Sequence, residues 1–293
     1  MAHVQTAEAS VKLRPGKPDD AHICGRICYE AFASIAAQHN FPPDFPSIDV
    51  AVGVMTMLLS HSGFFSVVAE LDREIIGSNF LDERSPIAGL GPITVSPKVQ
   101  NRTVGRQLMT AALERATERR FPGVRLLQAA YHGRSLALYT KLGFQPRESI
   151  ACMQGPPVNA KLAGHQVRPA LESDLEACNR VCTLVHGHHR GGEVLDAIRQ
   201  GTATVVERDG RTTGYATDLA FFAHATGETN TDVMALIGAA SIFGGPGILV
   251  PLRNGPLFHW CLSRGLRVVQ LMTLMTTGLY NEPAGAYLPS VLY

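Results

Sequence analysis

Residues 95–113 read "VSPKVQNRTVGRQLMTAAL", a β-branched segment that passes through a small polar loop into a run of good helix formers. A helix start leaves backbone N–H groups unpaired and carries the positive end of the helix dipole, so a tight loop placed there is an anion site. The stretch therefore predicts a strand, a phosphate-binding turn and a helix in immediate succession.

The chain around it has 293 residues, 45% of them hydrophobic, with a mean hydropathy of +0.06. That is ample for a buried core, at the length where one core usually splits into two domains. The formal net charge is +1, and Lys and Arg are scattered, which excludes the basic footprint of a nucleic-acid binder. Apolar runs such as "AVGVMTMLL" are too short to span a bilayer, and "MAHVQTAEAS" at residues 1–10 has no signal-peptide character, so the expectation is a cytoplasmic protein with no membrane partner. The six cysteines include no C-x-x-C pair; Cys24/Cys28 and Cys178/Cys182 fall at i, i+4 spacing and read as buried thiols.

Those cysteine pairs mark an internal duplication. "LRPGKPDDAHICGRIC" aligns with "VRPALESDLEACNRVC", placing Arg14, Asp20, Cys24 and Cys28 on Arg168, Asp174, Cys178 and Cys182 at a constant offset of 154. "VVAELDREIIG" aligns with "TVVERDGRTTG", placing Glu70, Asp72 and Gly77 on Glu207, Asp209 and Gly214 at an offset of 137. Each unit is large enough to own a core, so a duplicated domain accounts for the repeat. The boundary is expected in the Pro/Gly-rich "QGPPVNAKLAGHQ", giving domains 11–155 and 156–293.

Within the first domain the periodicities predict a strand at 11–14, helices at 19–38 and 49–61, and a hairpin from "FFSVVAEL" and "IIGSNFLDER". They continue with a strand "GPITV", the opening helix, the strand "VRLLQAAY", the helix "GRSLALYTKLG" ending at Gly143, and a strand near "ESIACMQ". This β-α-α-β-β-β-α-β-α-β order, with "QNRTVG" at 100–105 and "LYTKLGF" at 138–144, resembles the GNAT N-acetyltransferase superfamily. The resemblance covers residues 11–155; the second half joins it through the repeat. It implies an α/β (α+β) fold class, two GNAT-like domains, each a mixed, mostly antiparallel sheet flanked by helices and splayed at the acetyl-CoA site.

The same resemblance implies acetyl-CoA as acetyl donor, with no metal. Its pyrophosphate would lie on Gln100, Asn101, Arg102, Thr103, Val104, Gly105 and Arg106, and Ile93, Thr94, Val95, Ser135 and Tyr139 would also bind the coenzyme. Backbone amides around Val95 would polarise the thioester carbonyl, and Tyr139 would be the general acid toward the departing sulfur. Glu83 would be the base, directly or through water, beside the plainer reading of "DER" as a solvated charge run at a strand end. Two residues depart from the family pattern: Thr103 stands where glycine is usual, its β-branch disfavouring a positive φ, and Gly133 stands where the family often has Asn.

In the second copy the segment 214–240 runs from strand to helix with no such loop, and aligning Gly265 on Gly143 puts Cys261 in the place of Tyr139. The C-terminal domain is therefore expected to be degenerate. "HGHHR" at 186–190 with Glu193 invites zinc, but adjacent histidines point apart, and a polar junction between helices is the expectation. The resulting functional expectation is an N-acetyltransferase acting by direct transfer on a small-molecule amine, with self-association into a homodimer left open. A non-catalytic acyl-CoA sensor and a structural, partner-binding tandem protein are the alternatives.

Overall fold

The computed structural model describes residues 10–99 and 103–293. In chain order the elements are β1 (Lys12–Pro15), α1 (Ala21–Gln38), α2 (Ile48–Ser60), β2 (Phe64–Leu71), β3 (Glu74–Asp82), β4 (Ala88–Leu90), β5 (Thr94–Val95), α3 (Val104–Glu118), β6 (Gly123–Ala129), α4 (Gly133–Lys141) and β7 (Gln145–Gln154). They continue with β8 (His165–Pro169), α5 (Leu175–His186), α6 (Gly191–Gln200), β9 (Thr204–Arg208), β10 (Arg211–Ala216), β11 (Ala225–Gly227), α7 (Asn230–Ala239), β12 (Ile248–Pro251), α8 (Gly255–Ser263), β13 (Arg267–Gly278) and β14 (Ala286–Leu288). Two compact units result, one from the described part of Met1–Leu81 with Pro92–Glu118, the other from Asp82–Gly91 with Arg119–Tyr293.

In the first unit, β1, β2 and β3 are neighbours in that order and β5 pairs with β3, Gly77 opposite Val95. The β2–β3 hairpin closes on Asp72 and Arg73, both at positive φ (51° and 69°), the geometry of a primed two-residue turn that matches strand twist. Val67, Ala69 and Ile76 of the sheet bury against Val104 and Leu108 of α3. That apolar stripe, and not propensity alone, holds the helix in place. Of the strand expected over 91–95, only Thr94–Val95 forms. Gly91 takes φ 134° and Pro92 has no N–H to donate, so the ladder breaks between β4 and β5.

In the second unit one sheet runs β4-β6-β13-β7-β12, with β4 parallel to β6 and the other pairs antiparallel. Strands of the two sequence copies alternate here. β13 of the second copy lies between β6 and β7 of the first (Leu274 opposite Leu127, Met272 opposite Ile150), and β7 in turn separates β13 from β12. A five-stranded sheet, β14-β11-β10-β9-β8, completes the unit. Its β9–β10 turn at Asp209 and Gly210 is again at positive φ, as the repeat requires. All six cysteines are buried and none is in a disulfide.

The duplication holds to the level of single hydrogen bonds. Arg14 donates to both oxygens of Asp20 (2.7 and 3.0 Å) and to Glu70 (2.7 Å), and the Lys17 N–H donates to Asp20 (2.8 Å). Arg168 repeats this on Asp174 (2.7 and 2.9 Å) and Glu207 (3.0 Å), with the Leu171 N–H on Asp174 (2.8 Å). In each copy one aspartate closes the turn before the first helix and ties it to the first two strands.

Candidate functional site

In the first unit, the chain leaves β5 through a short 3-10 turn at Pro97–Val99 and enters α3 at Val104. Gln100, Asn101 and Arg102 lie outside the described residues. Thr103 adopts φ 61°, a left-handed conformation that a β-branched side chain takes only under constraint. Its carbonyl accepts from the Gln107 N–H (3.0 Å) and its hydroxyl from Gln107 Nε2 (3.3 Å). Val104 is buried and anchors the helix start, Gly105 follows in the first turn, and Arg106 is exposed. Upstream, Thr94 is buried with its hydroxyl 3.3 Å from Ser78 Oγ, while Ile93 and Val95 are half-buried. Among the described residues, β5 pairs with β3 alone.

In the second unit, Tyr139 is buried on α4, its ring edge-on to Phe144 at 6.3 Å. Burial pushes its phenol up to about 12, against a hydrogen bond from Ser135 that pulls it down. Ser135 Oγ lies 2.8 Å from His132 Nδ1, which places three polar side chains in a row at i, i+3 and i+7 along the helix. His132 escaped the sequence reading, although its spacing to Ser135 and Tyr139 is visible there. Glu83 follows the last residue of β3, its side chain 9% exposed, with Arg119 Nε 3.7 Å from its carboxylate. Its neighbour Asp82 is buried in a different set of partners, receiving Arg84 Nη2 at 2.6 Å; burial raises the Asp82 carboxyl despite that bond.

His186, His188, Arg190 and Glu193 form the expected polar junction between α5 and α6, with Arg190 paired to Glu193. The described residues include no group of three His, Cys, Asp or Glu side chains arranged to hold a metal ion. No helix among them is long and apolar enough to cross a membrane.

The mixed α/β arrangement, with mostly antiparallel sheets and helices between their strands, is a GNAT-type fold in a two-domain arrangement. Residues 31–144 match the Acetyltransferase (GNAT) family. Among solved structures it is similar to an acetyltransferase from Pyrococcus horikoshii at 16% identity and a TM-score of 0.75, covering 98% of this chain and 97% of that one. It is also similar to a GCN5-related N-acetyltransferase from Sphaerobacter thermophilus (15% identity, TM-score 0.61, 93% and 96% covered). A tandem GNAT protein of the clavulanic acid biosynthesis pathway aligns at 13% identity with a TM-score of 0.57, over 92% of this chain and 98% of that one. No curated protein matches the chain by sequence.

Proposed function

We propose that the protein is an acetyl-CoA-dependent N-acetyltransferase that transfers the acetyl group directly to the amine of a small molecule, with catalysis in domain 11–155 and a degenerate domain at 156–293. The observation that carries this reading is Tyr139, a buried phenol within the family's tyrosine motif, which burial pushes up to about 12. Six buried thiols, none in a disulfide, fit a reducing, cytoplasmic compartment.

Acetyl-CoA supplies an activated thioester; the chain supplies position and protons. The left-handed turn at Thr103 and the first-turn amides of α3 suit a pyrophosphate, with Gln100, Asn101, Arg102 and Arg106 adding polar and cationic groups around it. The second edge of β5 leaves the backbone of Ile93–Val95 available to an extended ligand, and the Val95 amide serves as the donor toward developing negative charge on a carbonyl oxygen. Tyr139 holds a proton for a departing thiolate, with Ser135 fixing its hydroxyl. Glu83 accepts the proton that the amine loses, and Arg119 beside it keeps that carboxylate oriented.

A thiol-release assay with acetyl-CoA across a panel of small amines tests the reading. Amine-dependent release of coenzyme A supports it. Tight acetyl-CoA binding by calorimetry with no release on any amine would leave the sensor alternative, and no binding would leave the structural one.

A further inference from the structure

In the second copy, β11 stands where β5 stands in the first. Gly77 pairs with Val95, and its repeat partner Gly214 pairs with Gly227. One residue further on, the Ser96 N–H donates to the Ile76 carbonyl (2.8 Å) and the Glu228 N–H to the Thr213 carbonyl (2.9 Å). Ala225–Gly227 is therefore the counterpart of Ile93–Val95. The opposite edges of the two strands differ. No described strand pairs with that edge of β5, whereas β14 runs antiparallel along β11, with Ala225, Thr226 and Gly227 opposite Leu288, Tyr287 and Ala286.

We infer that the acyl-coenzyme edge of the second copy is retained as a binding edge, and that its ligand is a segment of this same chain, the strand Ala286–Leu288. The inference rests on the proposed assignment of Ile93–Val95 to coenzyme in the first copy. An open strand edge presents unpaired N–H and C=O groups and is the natural seat of any extended ligand. Here β14 satisfies those groups, and Ala286, Tyr287 and Leu288 are all at most 4% exposed.

The occupant is tied down on both sides. Before the strand, Asn281 Nδ2 donates to the His186 carbonyl (3.3 Å), Arg253 to the Pro283 carbonyl (3.0 Å), and the Ala284 N–H to the Val185 carbonyl (2.8 Å). After it, the Val291 N–H donates to the Phe221 carbonyl (2.9 Å), and the Arg125 and Arg190 guanidinium carbons lie over the Tyr293 ring, 4.4 and 4.3 Å from its centroid. A tethered segment competes at an effective concentration of about millimolar or above, before any of these anchors is counted. The helix start is closed as well. Only Glu228 and Thr229 separate β11 from α7, whose start is capped from within: Thr229 Oγ1 accepts from the Asp232 N–H (3.4 Å) and Asp232 Oδ2 from the Thr229 N–H (2.8 Å). The edge is thus satisfied from within and the helix start is capped, so one chain carries one coenzyme site.

Hydrogen exchange of the full chain with and without saturating acetyl-CoA tests this. Peptides covering 225–227 and 286–288 should be protected together in the free protein and unmoved by acetyl-CoA, while a peptide covering 93–95 slows when acetyl-CoA is added. Slowing at both 93–95 and 225–227 would overturn the inference alone. No slowing at 93–95 would overturn the proposed function, and the inference with it. A second arm uses Gly285→Val, because a Cβ at Gly285 meets the Gly227 carbonyl oxygen at 2.7 Å and Val185 Cγ2 at 2.8 Å, and so wedges β14 off its seat. Exchange over 225–227 should then rise at least tenfold with the response at 93–95 retained. Unchanged protection at 225–227 in a folded variant would show that something other than β14 covers the edge. Should the variant not fold, the comparison on the unaltered chain still decides.

Discussion

At Tyr139, burial decides the state of the hydroxyl. The apolar surroundings raise the phenol to about 12, so it is fully protonated at neutral pH and a weaker acid than a free tyrosine. On the proposed mechanism, Tyr139→Phe keeps the ring against Phe144 and removes only the proton. Turnover should fall by about 10²-fold, the low end for a lost general acid, with coenzyme affinity within about threefold of the parent. Steady-state kinetics with calorimetry checks both; unchanged turnover with weakened binding would make Tyr139 a packing residue. At Thr103 the issue is strain. A β-branched residue at φ 61° costs about 1–2 kcal/mol, and Thr103→Gly relieves it while adding about 0.5–1 kcal/mol of unfolded-state entropy. The expected outcome is stability within about 1 kcal/mol of the parent in urea and coenzyme binding at least as tight. A larger loss would show that the hydroxyl bond to Gln107 outweighs the strain.

At the level of elements, the paired turns before α1 and α5 make a built-in comparison. Asp20 and Asp174 each accept one turn N–H and a bidentate arginine, and Arg14 and Arg168 hold the two carboxyls below the usual range. Both guanidinium groups keep roughly a third of their surface in water, which discounts the ionic part. Asp20→Ala and Asp174→Ala should each cost about 1–2 kcal/mol, mostly as lost turn closure, and by similar amounts. Because the folded carboxyls are the stronger acids, this stabilisation is present above the ordinary carboxylate pKa and is lost as pH falls through the lowered one. Urea midpoints at pH 7 and pH 3 would read both effects, and a difference of several kcal/mol between the two sites would break the equivalence. The start of α3 gives a sharper contrast. Gly105→Glu puts a carboxylate where the helix dipole favours an anion, so a folded variant should lose coenzyme binding, and unchanged affinity would place the anion site elsewhere.

For the whole molecule, the buried histidines set a limit on the acid side. Burial lowers His186 and His224 well below the ordinary imidazole value and brings His188 down to about 4. Each folded-state pKa lies below the unfolded one, so the unfolded chain binds the extra protons. Stability is therefore held above about pH 6.5 and lost as pH falls toward 4, with a slope of about 1.4 kcal/mol per pH unit for each proton taken up. Thermal unfolding between pH 7 and pH 4 should show this loss, and His188→Gln should flatten it. A midpoint flat across that range would mean that water reaches these rings.

Much of this was legible in the sequence because the signals are local. The hairpin turns at Asp72 and Asp209, the helix start after "GPITV" and the tyrosine motif each depend on residues within one or two turns of each other, and the duplication shows as such local patterns met twice. Even the Arg14–Asp20–Glu70 set could be read twice, since the repeat preserved all three members. Strand partnership had no such local signal. The sequence of β13 fits a buried strand wherever it pairs, and only the tertiary structure seats it between β6 and β7. The three residues of β14, between Gly285 and Pro289, are too few to show a period, so nothing local marks them as the occupant of β11. Periodicity says which face of a strand is buried; which edge it meets is decided by long-range hydrogen bonding, and that only the assembled chain supplies.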